Sequence, residues 1–182
     1  MNNYTRSGLA GTKTEQNLME AARSEALAHT KYMLYSEMAS EAGEREAAQT
    51  FENFANNEKE HAELWLGYLG ELGETDDNIN SAVTGETFES SNFYPEASRI
   101  AAEEGFTELA EKFRMAGTVE GHHAEAYRKL SDDMAKGTMH TGNADTEWVC
   151  SNCGYHTKGN IPPEYCPLCS YPNSYFVKTR NY

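Results

Sequence analysis

Glu58-Lys59-Glu60-His61-Ala62 is the stretch whose reading decides the fold of this chain. Glu58 and His61 are three residues apart, a spacing that puts them on one face of an α-helix. That face continues as Phe51, Phe54, Glu58, His61, Trp65, Leu69 and Leu72, in alternating steps of three and four. The stripe predicts an amphipathic helix with a carboxylate and an imidazole set inside its apolar seam, away from water. An ionised carboxylate there is costly unless it is paired or holds a metal. One Glu-x-x-His arises readily by chance in an acid-rich helix. Here it recurs, as Glu120-Gly121-His122-His123 within the seam Leu109, Phe113, Ala116, Glu120, His123, Tyr127, Leu130 and Met134.

The recurrence belongs to a larger duplication. Residues 32–65 shifted by 62 positions match at twelve of 34 positions, pairing Tyr32 with Tyr94, Gly43 with Gly105, Phe51 with Phe113, Glu58 with Glu120 and His61 with His123. Two helical hairpins of common origin are the reading that follows. The first helix is expected from the capping box Thr12-Lys13-Thr14-Glu15 to about Ala42, with Gly43 as its stop and Glu25, His29 and Tyr32 in its seam. The second spans roughly 44–72 and stops at Gly73, and the polar stretch Glu74 to Asn80 reads as a connection. A third helix carries Ala82, Glu86, Glu89, Phe93 and Ile100 to about Gly105, and a fourth covers about 107–136. The same shift sends Glu25 to Thr87, one residue beyond Glu86. A one-residue insertion between Glu86 and Tyr94 would restore the facing, and Pro95 marks where a kink or bulge could absorb it. Glu89 has no counterpart in the first half.

Collected, the seams offer Glu25 from the first helix, Glu58 and His61 from the second, Glu86 and Glu89 from the third, and Glu120 and His123 from the fourth. One Glu from each of two helices, with Glu-x-x-His from each of the other two, is the ligand pattern of ferritin-like di-iron bundles. Carboxylates at one level repel one another, and two divalent cations would neutralise most of that charge. Oxygen and imidazole donors suit iron or manganese, whereas a soft-metal site would use sulfur. Tyr32 and Tyr94 lie on the inner faces, where a phenol beside a redox metal can donate a hydrogen bond. His122 points off the seam, and His140 and His156 are expected in irregular chain, so none of the three is offered as a ligand. His29, one turn from Glu25, reads as a packed, hydrogen-bonded histidine.

All four cysteines fall in the last 33 residues, as Cys150-x-x-Cys153-Gly154-Tyr155 and Cys166-Pro167-Leu168-Cys169, with twelve residues between the pairs. That spacing makes a tetrahedral tetrathiolate site, for zinc or for iron. A module of about 36 residues cannot build a sufficient core, so the metal must hold it together. The domain plan is therefore a tail over residues 1–11, a helical bundle over 12–137, a linker over 138–146 and a cysteine module over 147–182.

The 182 residues carry a net charge of -14 with scattered basic side chains, which argues against nucleic acid or an anionic membrane as partner. No apolar run is long enough to span a bilayer, and Met1-Asn2-Asn3-Tyr4 lacks the form of a signal peptide, so a cytoplasmic protein is expected.

Over nearly its whole length the chain resembles the rubrerythrin family. The match lies in Ser24-Glu25 with Tyr32, Glu58-Lys59-Glu60-His61-Ala62, Gly85-Glu86-x-x-Glu89 with Tyr94-Pro95, Glu120-x-x-His123 and the two cysteine pairs. The resemblance implies a mostly α protein, a ferritin-like four-helix bundle with a small C-terminal rubredoxin-like β domain. It implies two irons held by Glu25, Glu58, His61, Glu86, Glu89, Glu120 and His123, with Tyr32 and Tyr94 close by. It favours iron over zinc for Cys150, Cys153, Cys166 and Cys169. The implied activity is reduction of hydrogen peroxide to water, with electrons from rubredoxin or an NAD(P)H-dependent reductase, in a head-to-tail homodimer. An iron-oxidising or iron-storing protein of the ferritin class is the alternative.

Overall fold

The computed structural model describes residues 8–179; residues 1–7 of the expected tail lie outside the described residues. Five α-helices, α1 (Lys13–Glu41), α2 (Arg45–Leu69), α3 (Thr75–Phe88), α4 (Tyr94–Glu103) and α5 (Thr107–Ala135), precede three short strands, β1 (Glu147–Cys150), β2 (His156–Lys158) and β3 (Phe176–Lys178). The chain divides into two compact units, one ending at Glu74 and the other starting at Thr75.

In the first unit α1 and α2 form an antiparallel hairpin. Thr12 caps α1, its Oγ1 accepting from the Glu15 N–H at 3.1 Å, while the Glu15 carboxylate accepts from the Gly11 N–H at 2.7 Å. The hairpin is pinned at two levels seven residues apart. His29 Nδ1 lies 2.8 Å from the Ala55 carbonyl oxygen, and Ser36 Oγ donates to the Ala48 carbonyl at 2.8 Å. His29 is thus the packed histidine that its seam position suggests. The buried residues of α2 are Ala48, Ala55, Ala62 and Leu69, one heptad apart, so small side chains bring the helices close.

The second unit repeats this hairpin. Ser98 Oγ donates to the Ala110 carbonyl at 2.8 Å, and Tyr94 meets Phe113 with the geometry of Tyr32 on Phe51, 6.2 Å between centroids at 39° in both pairs. Gly117 stands where the first hairpin has Ala55, and a Cβ there would lie 3.0 Å from Tyr94 Cβ.

Between α3 and α4 the chain forms one π-helical segment, Glu89–Phe93, and the Tyr94 N–H reaches the Glu89 carbonyl five residues back. A π turn holds one residue more than an α turn. It lies between Glu86 and Tyr94, where the duplication requires an extra residue, and Pro95 follows at the first turn of α4.

Two expected boundaries are corrected. α2 ends at Leu69, not near Leu72, because Gly70 takes the left-handed conformation (φ 69°) and the Glu71 N–H turns back to the Leu66 carbonyl at 3.0 Å. The polar stretch Glu74–Asn80 is not a connection: α3 starts at Thr75. Asp76 and Asp77 in its first turn complement the helix dipole, and Ile79 is buried.

The strands pair in the order β2-β1-β3, both antiparallel to β1. Trp148, Cys150, Cys166 and Phe176 form the core of this module, and the Trp148 indole N–H donates to the Gly159 carbonyl at 2.8 Å. Lys178 ties the module to the end of α5, its Nζ 3.2 Å from Asp133 Oδ2 and 3.0 Å from the Thr138 carbonyl.

Candidate metal centres

Each helical unit gathers one carboxylate-histidine cluster. In the first, ligand atoms of Glu25, Glu58 and His61 lie within 4.8 Å of one another; in the second, Glu86, Glu120 and His123 do the same. His61 Nδ1 is 2.8 Å from Glu58 Oε2 and 3.9 Å from Glu25 Oε1, while His123 Nδ1 is 2.7 Å from Glu120 Oε2 and 3.5 Å from Glu86 Oε2. The helix spacing explains the shared arrangement. Glu and His at i and i+3 present to the same side, and the bonds at Ala55 and Ala48 fix the register that brings Glu25 opposite them.

The seam was expected to shelter these groups fully, and it does so only in part. The carboxylates of Glu25, Glu58, Glu86 and Glu120 are 18–28% exposed, and the two imidazoles are just over half exposed. The described residues include no buried charged side chain. Both clusters lie along a helix face that remains open to water. Partial burial still acts on Glu86. Desolvation, and then the hydrogen bond and charge of Glu120, raise its carboxyl above the usual range; Glu89 adds to the rise and His123 opposes it. Glu89, at the start of the π segment, is exposed and lies outside the three-residue cluster. Tyr32 and Tyr94 pack on Phe51 and Phe113.

The third cluster is the four cysteines. Cys150 Sγ lies 3.8 Å from Cys169 Sγ, and Cys153 Sγ lies 3.6 Å from Cys166 Sγ. A tetrahedron with metal–sulfur bonds of about 2.3 Å has edges of about 3.8 Å, so the sulfurs already stand at ligand separation. Two matching turns hold them. The Gly154 N–H donates to the Cys150 carbonyl and the Ser170 N–H to the Cys166 carbonyl, each at 2.8 Å. Both turn residues have positive φ, 76° at Gly154 and 61° at Ser170. Glycine at 154 adopts this left-handed backbone without strain, whereas serine at 170 carries no sign of it in the sequence.

The thiols do not titrate alike. The Tyr155 backbone favours the Cys153 thiolate, but burial and the neighbouring sulfurs outweigh it and push the thiol up to about 12. The Asn152 side chain and the Tyr171 backbone draw Cys169 down to about 6. Four sulfurs this close cannot all ionise without a cation among them.

These features define a class: a helical protein with carboxylate-imidazole metal ligands, joined to a tetrathiolate module. The family model described as Rubrerythrin matches residues 16–131, and the one described as Rubrerythrin, rubredoxin-like domain matches residues 148–177. The chain belongs to the rubrerythrin family. It is 36% identical to a putative rubrerythrin of Methanocaldococcus jannaschii, covering 93% of this chain and 95% of that one. It is 32% identical to a rubrerythrin of Porphyromonas gingivalis, over 92% of this chain and 90% of that one. A solved structure of nigerythrin in a partially reduced state matches 98% of this chain and 94% of that one, at 30% identity and a TM-score of 0.36. The fold is accordingly a ferritin-like domain followed by a rubredoxin-like domain. Its cofactors are a di-iron centre and one iron at the four cysteines, and both donor sets fit: carboxylate and imidazole for the pair, four sulfurs at tetrahedral spacing for the single ion. The rubredoxin-like domain makes this a chain that exchanges electrons with redox partners. Among the described residues no helix is long and apolar enough to cross a membrane.

Proposed function

We propose that the protein is a cytoplasmic peroxidase that reduces hydrogen peroxide to two waters, taking up two electrons and two protons. The observation that carries this reading is the coexistence of two equivalent Glu-Glu-His clusters with a sulfur tetrad in one chain. Iron storage has no use for an electron inlet, and a structural zinc protein has no use for the acidic clusters.

In this reading Glu25, Glu58, His61, Glu86, Glu120 and His123 hold the two irons, and Glu89 is the seventh, unpaired ligand. When bound, the irons supply the two electrons and the Lewis acidity for breaking the O–O bond. The carboxylates would cancel most of the charge of two divalent cations. In the metal-free chain burial and Glu120 raise the Glu86 carboxyl above its usual range, and bound cations would relieve that strain by favouring its ionised form. Tyr32 and Tyr94 orient substrate oxygen through their phenols. The Cys150, Cys153, Cys166 and Cys169 site receives electrons from rubredoxin or an NAD(P)H-dependent reductase and passes them to the bundle. The domain plan is a helical region over 12–137, a linker over 138–146 and the cysteine module over 147–182, in a head-to-tail homodimer that shortens the electron path between chains.

Anaerobic peroxide consumption by the iron-loaded chain, with a reductase and NADH, tests the reading. Turnover that is lost in a Glu58→Ala/Glu120→Ala chain supports it. Iron oxidation by dioxygen without peroxide turnover would favour the ferritin-class alternative.

A further inference from the structure

Lys59, Arg99, Arg114, Lys129 and Lys136 pair with carboxylates one to four positions away in the chain, and both partners of each pair are more than half exposed. Surface pairs of that kind contribute little. Lys178 makes a pair of another kind. Its Nζ reaches Asp133 across 45 residues, and the two side chains are 17% and 25% exposed. The cluster draws on α5, the turn after it and β3. Asp133, near the end of α5, offers Oδ2 to Lys178 and Oδ1 to the Thr138 hydroxyl, which donates at 2.8 Å. Lys178 Nζ donates again to the Thr138 carbonyl at 3.0 Å, and the Thr138 N–H donates to the Asp133 carbonyl at 2.8 Å. The same ammonium lies 5.8 Å from the centre of the buried Trp148 ring.

A second observation concerns the chain between α5 and the cysteine module, which both belong to the second unit. The stretch 138–146 is bonded along its length. The Thr141 N–H donates to the Thr138 carbonyl at 3.0 Å, the Gly142 N–H to the Asn160 carbonyl at 2.7 Å, and the Asn143 N–H to Thr146 Oγ1 at 2.8 Å. His140, in the same stretch, meets the Trp148 ring with 6.4 Å between centroids. Lys178 stands opposite Trp148 in the β1–β3 register, two residues from the Cys150 pairing. The ion pair thus joins the helix that carries Glu120 and His123 to the strands that carry Cys150. Asp133 lies ten residues beyond His123, about 15 Å along the helix axis at 1.5 Å per residue.

We propose that Lys178 is a positioning residue for electron delivery: pinned by Asp133 and Thr138, it holds the cysteine module in one orientation on the end of α5. A half-buried pair contributes orientation more than net stability. The step it serves is transfer of one electron from ferrous iron at the four cysteines to ferric iron in a bundle, this chain's own or a second copy's. Such transfer falls steeply with distance, so a module that swings on its linker delivers electrons slowly. The proposal rests on the electron route given above and goes beyond it, since that route names no residue that sets the geometry between the metal sites.

Two readouts on the full chain test it, with Lys178→Met, Asp133→Asn and Lys178→Arg as variants. The first needs no activity: amide NMR relaxation, with zinc in place of iron, compares the tumbling of the module with that of α5. The wild-type module should tumble with α5. Lys178→Met and Asp133→Asn should each release it, whereas Lys178→Arg, which keeps the charge, should not. The second readout is the rate at which the cysteine site reddens after the reduced, iron-loaded chain meets hydrogen peroxide without dioxygen. Both releasing variants should redden several-fold more slowly, and the Lys178→Met/Asp133→Asn double variant no more slowly than either alone. Lys178→Arg should redden at the wild-type rate. The reduction potential of the cysteine site should not move in Asp133→Asn; a shift there would place the effect on the site itself and overturn the positioning role. A wild-type module that tumbles independently of α5 overturns the proposal, as do variants that leave the module fixed, or that release it and redden at the wild-type rate. A wild-type chain that never reddens sinks the electron route instead, and the relaxation readout then still decides whether Lys178 fixes the module.

Discussion

Ser98 Oγ donates to the Ala110 carbonyl at 2.8 Å, the bond that Ser36 makes to Ala48 in the other hairpin. Both carbonyls also belong to helices, so the serine bond is a second, lateral one that sets helix register. Ser36→Ala and Ser98→Ala should each lower stability by about 1 kcal/mol, and by equal amounts within a few tenths. Urea unfolding of the two single variants checks this. A loss confined to one hairpin would mean that the equivalence is geometric only.

The cysteine turns predict opposite signs for two small substitutions. Ser170 occupies a left-handed backbone (φ 61°) that glycine adopts without strain, so Ser170→Gly should stabilise the module by about 0.5–1 kcal/mol. Gly154→Ala places a Cβ on the equivalent backbone (φ 76°) and should destabilise it by a similar amount. The readout is the temperature at which the red colour of the iron-cysteine site is lost. Equal shifts of the same sign would show that the two turns are not equivalent.

Glu86 predicts a pH dependence in the metal-free chain. Its carboxyl is raised above the usual value by burial and by Glu120, so its ionised form is the destabilised one. The folded chain therefore binds that proton more tightly than the unfolded chain. The resulting stabilisation is fully present below the ordinary carboxylate range and is lost as pH rises through the raised value. Glu86→Gln should accordingly stabilise the metal-free protein near neutrality, and the gain should vanish in acid. Thermal unfolding of both proteins across that range decides it. A gain that persists unchanged in acid would trace to packing and not to charge.

Glu89 is predicted to separate metal binding from turnover. It lies outside the Glu86-Glu120-His123 cluster yet is near enough for its charge to act on Glu86. Ferric iron favours carboxylate more than ferrous iron does, so an exchange of His61 for Glu89 on oxidation is expected. Glu89→Ala should leave anaerobic ferrous binding nearly unchanged and slow peroxide consumption about tenfold or more. Unchanged kinetics would remove Glu89 from the mechanism.

The parts of the molecule legible in the sequence are those written as side-chain chemistry at a fixed period. Glu58 with His61 and Glu120 with His123 announce a helix face and its donors together. The offset between Glu25 and Glu86 foretold an extra residue, and the π segment at Glu89–Phe93 supplies it. Backbone conformation was less legible. Gly70 and Gly73 are equally plausible stops for α2, and only the Glu71 bond to Leu66 selects the first. Asp76 and Asp77 look like loop residues and like a helix first turn, because a dipole attracts the acids that solvent also tolerates. Lys178 carries no local sign that it will reach Asp133 and Thr138, which are some 40 residues away in the chain. The seam positions of Glu25, Glu58, His61, Glu86, Glu120 and His123 are legible from period, but their exposure depends on what covers the face, and no period encodes that.

The central claim is that peroxide oxidises the bundle iron and that the cysteine site resupplies it. Its most direct measurement is anaerobic stopped-flow mixing of the fully reduced, iron-loaded protein with less than one equivalent of hydrogen peroxide. The account predicts loss of ferrous signal from the bundle first, then red colour growing at the Cys150, Cys153, Cys166 and Cys169 site, with two electrons lost per peroxide and no dioxygen released. A cysteine site that stays colourless and reduced while peroxide is consumed would contradict it.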